Sequence, residues 1–154
     1  SGKTVSVTAT TDSLTVKGGA KINATEGTAT LTASSGKLTT EANSAISGAN
    51  GVTASSQSGD ISGTISGNTV SVKATSDLIT QSGSKIEAKS GEANVTSATG
   101  TIGGTISGKT VNVTATTDSL TVKGGAKIDA TEGTATLTAS SGKLTTEASS
   151  SITS

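Results

Sequence analysis

The side chains able to do chemistry in this chain are few, and they recur at fixed intervals. Asp12, Asp77 and Asp118 share one repeated position, Glu26 and Glu132 a second, Glu41 and Glu147 a third. Two carboxylates act as general acid and base when they meet a few ångströms apart in a cleft. Carboxylates repeated along a chain predict another role, as charges at solvated turns, with Asp12, Asp77 and Asp118 accepting turn backbone N–H groups. Composition removes most of the alternatives. The 154 residues contain no Cys, His, Pro, Met, Arg, Phe, Tyr or Trp. Disulfides, thiolate and imidazole metal ligands, Ser-His nucleophiles and histidine acid–base chemistry are therefore excluded. Without Arg or aromatic rings, a base-stacking or bidentate phosphate-reading nucleic-acid module is disfavoured as well. Neither the EF-hand spacing nor the Gly-rich Asp nonapeptide of calcium sites occurs. The expectation is no catalytic residue, no cofactor and no metal site, in a chain that is not an enzyme.

Three triplets carry a definite chemical reading. Asn23-Ala24-Thr25, Asn94-Val95-Thr96 and Asn112-Val113-Thr114 are N-x-[ST] glycosylation acceptors. Each Asn is flanked by apolar residues, which predicts that Asn23, Asn94 and Asn112 point outward from strands. The runs Thr8–Thr10, Thr28–Thr32 and Thr134–Thr138 alternate Thr with Ala or Leu. A flat Thr array would order water and bind ice, but ordinary outward strand positions explain the same alternation. Eleven Lys balance eleven acidic residues, for a formal net charge of zero. Lys17, Lys21 and Lys37, with Lys123, Lys127 and Lys143, suggest stripes that a glycan or polyanion could use. Acidic residues lie nearby in sequence, and scattered charges that keep a rod soluble account for them better.

These side chains need a scaffold, and the scaffold is written as repeats. Thr (32) and Ser (26) dominate, whereas Val, Ile and Leu total only 27, few enough for a disordered linker. The spacing of the aliphatics argues for order instead. Residues 1–47 recur as 107–153, identical at 42 of 47 positions, and residues 66–106 hold a degenerate copy in which Thr69, Val70, Val72, Ala74, Thr75 and Asp77 keep register. Within the copies the aliphatics fall in threes: Val7, Leu14, Ile22; Leu31, Leu38, Ile46; Val52, Ile61, Ile65; Val72, Ile79, Ile86; Val95, Ile102, Ile106; Val113, Leu120, Ile128; Leu137, Leu144, Ile152. Alternation such as Val5-x-Val7 and Val70-x-Val72 predicts short strands with these anchors inward. Turns are expected at Lys17–Gly19, Glu26-Gly27, Ser34–Gly36, Asn50-Gly51, Ser58–Asp60, Gly103-Gly104 and Ser140–Gly142. The fold class is therefore all-β: a right-handed parallel β-helix with three short strands per coil and about seven coils, spanning 1–154 as one unit. A narrow interior also explains the missing rings, which would over-pack it. Exposed strand edges and near-identical end copies predict end-to-end self-stacking.

The stretch Ile22–Ala42 (INATEGTATLTASSGKLTTEA), repeated at Ile128–Ala148 with Asp129, carries a resemblance. With Thr53–Val70 and Gly91–Ala115, it resembles the later passenger of the high-molecular-weight adhesins of non-typeable Haemophilus, and more loosely the filamentous-haemagglutinin group. The resemblance covers essentially the whole chain. It implies a stalk or repeat segment of a secreted, surface-held adhesin and virulence factor that attaches bacteria to a receptor on host epithelium. It further implies export by an outer-membrane two-partner transporter and Asn glycosylation by a cytoplasmic glycosyltransferase. The other readings are direct binding of glycans or polyanions through a Lys/Thr face and, more remotely, ice binding. No apolar run of about 18 residues predicts membrane insertion. The first residue is Ser, not Met, which reads as a piece of something larger.

Overall fold

A computed structural model describes all residues, 1–154, and contains strands and turns but no helix. The strands stack in parallel as seven coils, each with three sides. Coil 1 holds β1 (Val5–Ala9), β2 (Leu14–Val16) and β3 (Lys21–Ala24). Coils 2 and 3 and the first side of coil 4 are made of three longer strands, β4 (Thr28–Thr40), β5 (Ala45–Ile61) and β6 (Thr64–Ala74), which bend around the corners. Coil 4 continues with β7 (Asp77–Thr80) and β8 (Lys85–Ala88), and coil 5 has β9 (Glu92–Ser97), β10 (Thr99–Ile102) and β11 (Thr105–Gly108). Coil 6 comprises β12 (Thr110–Ala115), β13 (Leu120–Val122) and β14 (Lys127–Ala130); coil 7 comprises β15 (Ala135–Ala139), β16 (Leu144–Thr146) and β17 (Ser151–Thr153).

Register converts the anchor list into columns that run the length of the rod. On the third side, Ile22, Ile46, Ile65, Ile86, Ile106, Ile128 and Ile152 pair in succession, one isoleucine per coil. On the first side, Val7, Leu31, Ala54, Val72, Val95, Val113 and Leu137 form a second column. β-branched side chains suit such stacks because their restricted rotamers already match the pleated surface. The second side is built differently, from two inward columns that trade volume. One reads Leu14, Leu38, Gly59, Leu78, Gly100, Leu120, Leu144; its neighbour reads Val16, Thr40, Ile61, Thr80, Ile102, Val122, Thr146. Leu is always accompanied by Val or Thr, and Gly always by Ile, so each coil supplies a similar bulk. A Cβ on Gly59 would collide with Cδ1 of Leu78, and one on Gly100 would crowd Cδ1 of Leu120.

Three expectations are corrected here. Ile79 is 38% exposed, and Leu78 (1%) is the buried residue. The corner before it, Thr75-Ser76, is shorter than Thr10–Ser13 in coil 1. Entering the strand sooner shifts the inward phase by one residue, which in a period-2 element swaps the faces. Second, Ser58–Asp60 is not a turn: it pairs with Lys37–Thr39 as strand, with Gly59 facing inward. Third, Ser34–Gly36 and Asn50-Gly51 lie inside β4 and β5, where the ladder continues past them with shifts of register. The turns at Lys17–Gly19, Glu26-Gly27, Gly103-Gly104 and Ser140–Gly142 stand where expected.

Between the second and third sides, corners come in two lengths. Five are four-residue turns: Lys17–Ala20, Glu41–Ser44, Gln81–Ser84, Lys123–Ala126 and Glu147–Ser150. Each is closed by a hydrogen bond from the fourth N–H to the first carbonyl, 3.0–3.2 Å. Their third residues are Gly19, Asn43, Gly83, Gly125 and Ser149, all with φ between 64° and 85°. A type II turn needs that left-handed position, which explains the Gly and Asn and makes Ser149 the strained copy. The other two corners, in coils 3 and 5, are the short pairs Ser62-Gly63 and Gly103-Gly104.

Candidate functional surface

Because the interior is filled, anything the molecule does must occur on its three outer sides, at its corners or at its ends. The carboxylates lie at corners and on outer columns; five of the eleven are tied to a lysine one coil away, and Glu87 to Lys85 on its own strand. Lys3 meets Glu26 at 3.1 Å and Lys109 meets Glu132 at 2.8 Å. Lys17 reaches Glu41 at 3.3 Å and Lys123 reaches Glu147 at 3.2 Å. Lys37 pairs with Asp60 and Lys85 with Glu87. Glu41 also accepts the Gly18 N–H (2.9 Å), and Glu147 the Gly124 N–H (3.0 Å). The backbone N–H first, and the ammonium second, hold both carboxyls below their ordinary value. Asp12 accepts the Ser13 N–H (2.8 Å), as expected for a turn carboxylate, whereas Asp118 takes the Ser119 hydroxyl (3.1 Å). Asp77 opens β7 on the outer face instead of capping a turn. The arrangement stabilises corners only weakly, because water screens exposed ion pairs.

The three acceptor asparagines occupy outward positions between inward apolar neighbours. Ala24, Ala93, Val95, Val111 and Val113 are buried, and Ile22 is half-buried at the rod's end. Asn23 is exposed and accepts a hydrogen bond from the Ser47 hydroxyl at 2.9 Å. Asn94 and Asn112 lie in register on adjacent coils, half-buried. Asn112 Nδ2 donates to Asn94 Oδ1 (2.9 Å), and Asn94 Nδ2 donates to Glu92 (3.1 Å). Their neighbourhood was not apparent from the sequence, because it depends on coil length.

The outer columns of the first side read Ser6, Thr30, Thr53, Ser71, Asn94, Asn112, Thr136 and Thr8, Thr32, Ser55, Lys73, Thr96, Thr114, Thr138. Thr is adjacent to Thr only at Thr30–Thr53 in the first column, and at Thr8–Thr32 and Thr96–Thr114–Thr138 in the second. Serine, lysine and asparagine interrupt the middle, so no uniform Thr lattice forms there. Six of the eleven lysines are in the ion pairs above, and the lysines are distributed over all three sides and the corners. Two shallow grooves each contain an unpaired one. A groove of about 230 Å³ lies among Thr32, Ser55, Lys73 and Thr75. Another, of about 290 Å³, lies among Asn23, Ser47, Ser66 and Lys89.

No family model, curated protein or solved structure matches this chain. What the surface can do is therefore read from its own geometry. That surface is a neutral, hydroxyl-rich prism with paired charges at the corners and no cluster of His, Cys, Asp or Glu arranged to hold a metal ion.

Proposed function

We propose that the chain is a β-helical stalk segment of a secreted, surface-held bacterial adhesin, exported by a two-partner transporter and contributing to attachment to host epithelium. The observation that carries the reading is the continuity of the columns. Seven coils repeat one cross-section with little variation outside, giving a rod of about 34 Å from a 4.8 Å strand spacing. A spacer needs length and solubility, and a prism of Thr, Ser and paired charges has both. The word-length similarity at Ile22–Ala42 and Ile128–Ala148 supports the adhesin assignment. The outward Asn23, Asn94 and Asn112 suit hexose attachment by a cytoplasmic transferase, since sugar there would displace water and not core.

Two measurements test this. The purified chain on a glycan array should show no saturable binding while small-angle scattering reports a rod. Peptide mass spectrometry after co-expression with a candidate transferase should find hexose on Asn23, Asn94 or Asn112. Direct glycan or polyanion binding is the competing reading, favoured by the grooves at Lys73 and Lys89. Saturable array binding that Lys73→Ala and Lys89→Ala abolish would establish it and overturn the spacer role.

A further inference from the structure

We infer that the open face of coil 7 is a selective seat for one kind of β-coil: one with a two-residue Gly-ending corner and glycine in the leucine column, as in coil 3. The inference is independent of the adhesin reading. It comes from how the coils inside the rod choose their neighbours. Coils 2 and 4 carry Leu and Thr on the second side and a long corner ending in Ser: Leu38, Thr40, Ser44 and Leu78, Thr80, Ser84. Each is covered by a short-corner coil with Gly opposite the Leu, namely Gly59 and Gly100. The reason lies in two polar contacts. Thr40 Oγ1 accepts the N–H groups of Ser62 and Gly63, both at 3.2 Å, and Thr80 Oγ1 accepts those of Gly103 (3.1 Å) and Gly104 (3.4 Å). Ser44 and Ser84 turn their hydroxyls back on Glu41 and Gln81 carbonyls (2.7 and 2.8 Å). A Cβ on Gly63 or Gly104 would strike those hydroxyls. Coils 1 and 6 differ in both positions, with Val16 and Ala20, or Val122 and Ala126. Each is covered by a long-corner coil with Leu opposite the Leu. The lower coil's Val/Ala or Thr/Ser pair thus accompanies the type of coil above it.

Coil 7 is a Thr/Ser coil. Leu144, Thr146 and Ser150 repeat Leu38, Thr40 and Ser44, and Ser150 Oγ already donates to the Glu147 carbonyl at 2.7 Å, as Ser44 does to Glu41. Lys143 repeats Lys37, whose partner Asp60 belongs to coil 3. Under coil 3, Leu38 and Ile46 are 1% exposed, whereas Leu144 and Ile152 are 44% and 42% exposed. The seat therefore offers an apolar floor, a hydroxyl acceptor and a cation, in the positions that Gly59, the Ser62-Gly63 amides and Asp60 fill one repeat earlier. On this rule coil 1 of a second copy is the mismatched partner, because its corner Lys17–Ala20 is long and it brings Leu14 where Gly is required.

The test extends the full chain after position 154, with Ser154→Gly to restore the equivalent of Gly48. One version appends the sequence of residues 49–67, the other that of residues 1–24. The 49–67 extension should raise Tm by about 3 °C or more and slow amide exchange across Leu144–Thr146, whereas the 1–24 extension should do neither. Thr146→Val should cancel the gain in the first version and leave the unextended chain unchanged, since Thr146 is exposed there. Equal stabilisation by both extensions, or a gain that survives Thr146→Val, would overturn the inference. So would a 49–67 extension that leaves Tm and exchange unaltered.

Discussion

The exchange of volume between neighbouring coils is the feature most open to measurement, at Gly59 and Leu78. Leu78 is fully buried, and its Cδ1 occupies the space a Cβ on Gly59 would take. Leu78→Ala removes that methyl and leaves a hole with no side chain beneath to collapse into it. The cost should lie toward the upper end of the Leu→Ala range, about 4 kcal/mol. Gly59→Ala alone over-packs the same point, at about 1–3 kcal/mol. Combined, the methyl introduced at position 59 fills part of the hole left at position 78. The double variant should therefore be more stable than the two single losses imply, by about 2 kcal/mol, which is within the coupling seen for residues in contact. Denaturant unfolding followed by far-UV circular dichroism is the assay, because the chain has no Trp or Tyr for fluorescence. The m-value must stay constant, since a rod of stacked coils need not unfold in one step. Additivity within about 0.5 kcal/mol would refute the reasoning.

Further outcomes follow from single contacts. Ile79→Ala should change stability by no more than about 0.5 kcal/mol in the same assay, against the large loss at Leu78. Thr40→Val should cost about 1–3 kcal/mol by stranding the Gly63 amide, the Ser62 N–H keeping the Thr40 carbonyl at 2.8 Å, while Thr39→Val on the outer face should be nearly neutral. Leu31→Asp should unfold the neighbouring coils, read as loss of β circular dichroism, because Leu31 is completely buried in a core too narrow to hydrate a charge. Glu41 and Glu147 ionise below their ordinary value of 4.5 in the folded rod. Their contribution is therefore complete above the unfolded value and fades as pH falls through the lower folded one. A Glu41→Gln, Glu147→Gln variant should lose less stability than the wild type between about pH 5 and 3 in acid titration.

Strand, coil and repeat were legible because aliphatic residues announce them. The isoleucine column of the third side can be read directly from Ile22, Ile46, Ile65, Ile86, Ile106, Ile128 and Ile152, since only their spacing varies. The second side was harder. Gly59 and Gly100 look like turn residues, yet they stand in an inward column, and the sign of this is a leucine in the next coil. Thr40 and Thr80 look like outward hydroxyls, and only the pairing with the Gly-ending corner above makes them buried acceptors. Ile79 stands at the repeat position of an inward anchor, but the shortened Thr75-Ser76 corner turns it outward and Leu78 inward. At the surface, the outward aim of Asn23, Asn94 and Asn112 followed from alternation. The bond between Asn94 and Asn112 did not, because coil length varies along the first side, from 18 residues at this step and at Thr53–Ser71 to 24 at Ser6–Thr30.

The parallel ladders have a mechanical side. Their hydrogen bonds lie along the rod axis, so a pull between the two ends opens them one coil at a time from an exposed edge. Each coil that peels away exchanges about 4.8 Å of rod for roughly 70 Å of extended chain, at about 3.5 Å per residue over some 20 residues. A rod of this design lengthens more than tenfold before it is fully drawn out. Tension is thus spent on successive small unfoldings, and the coils still folded keep their register to wind the slack back when the load falls.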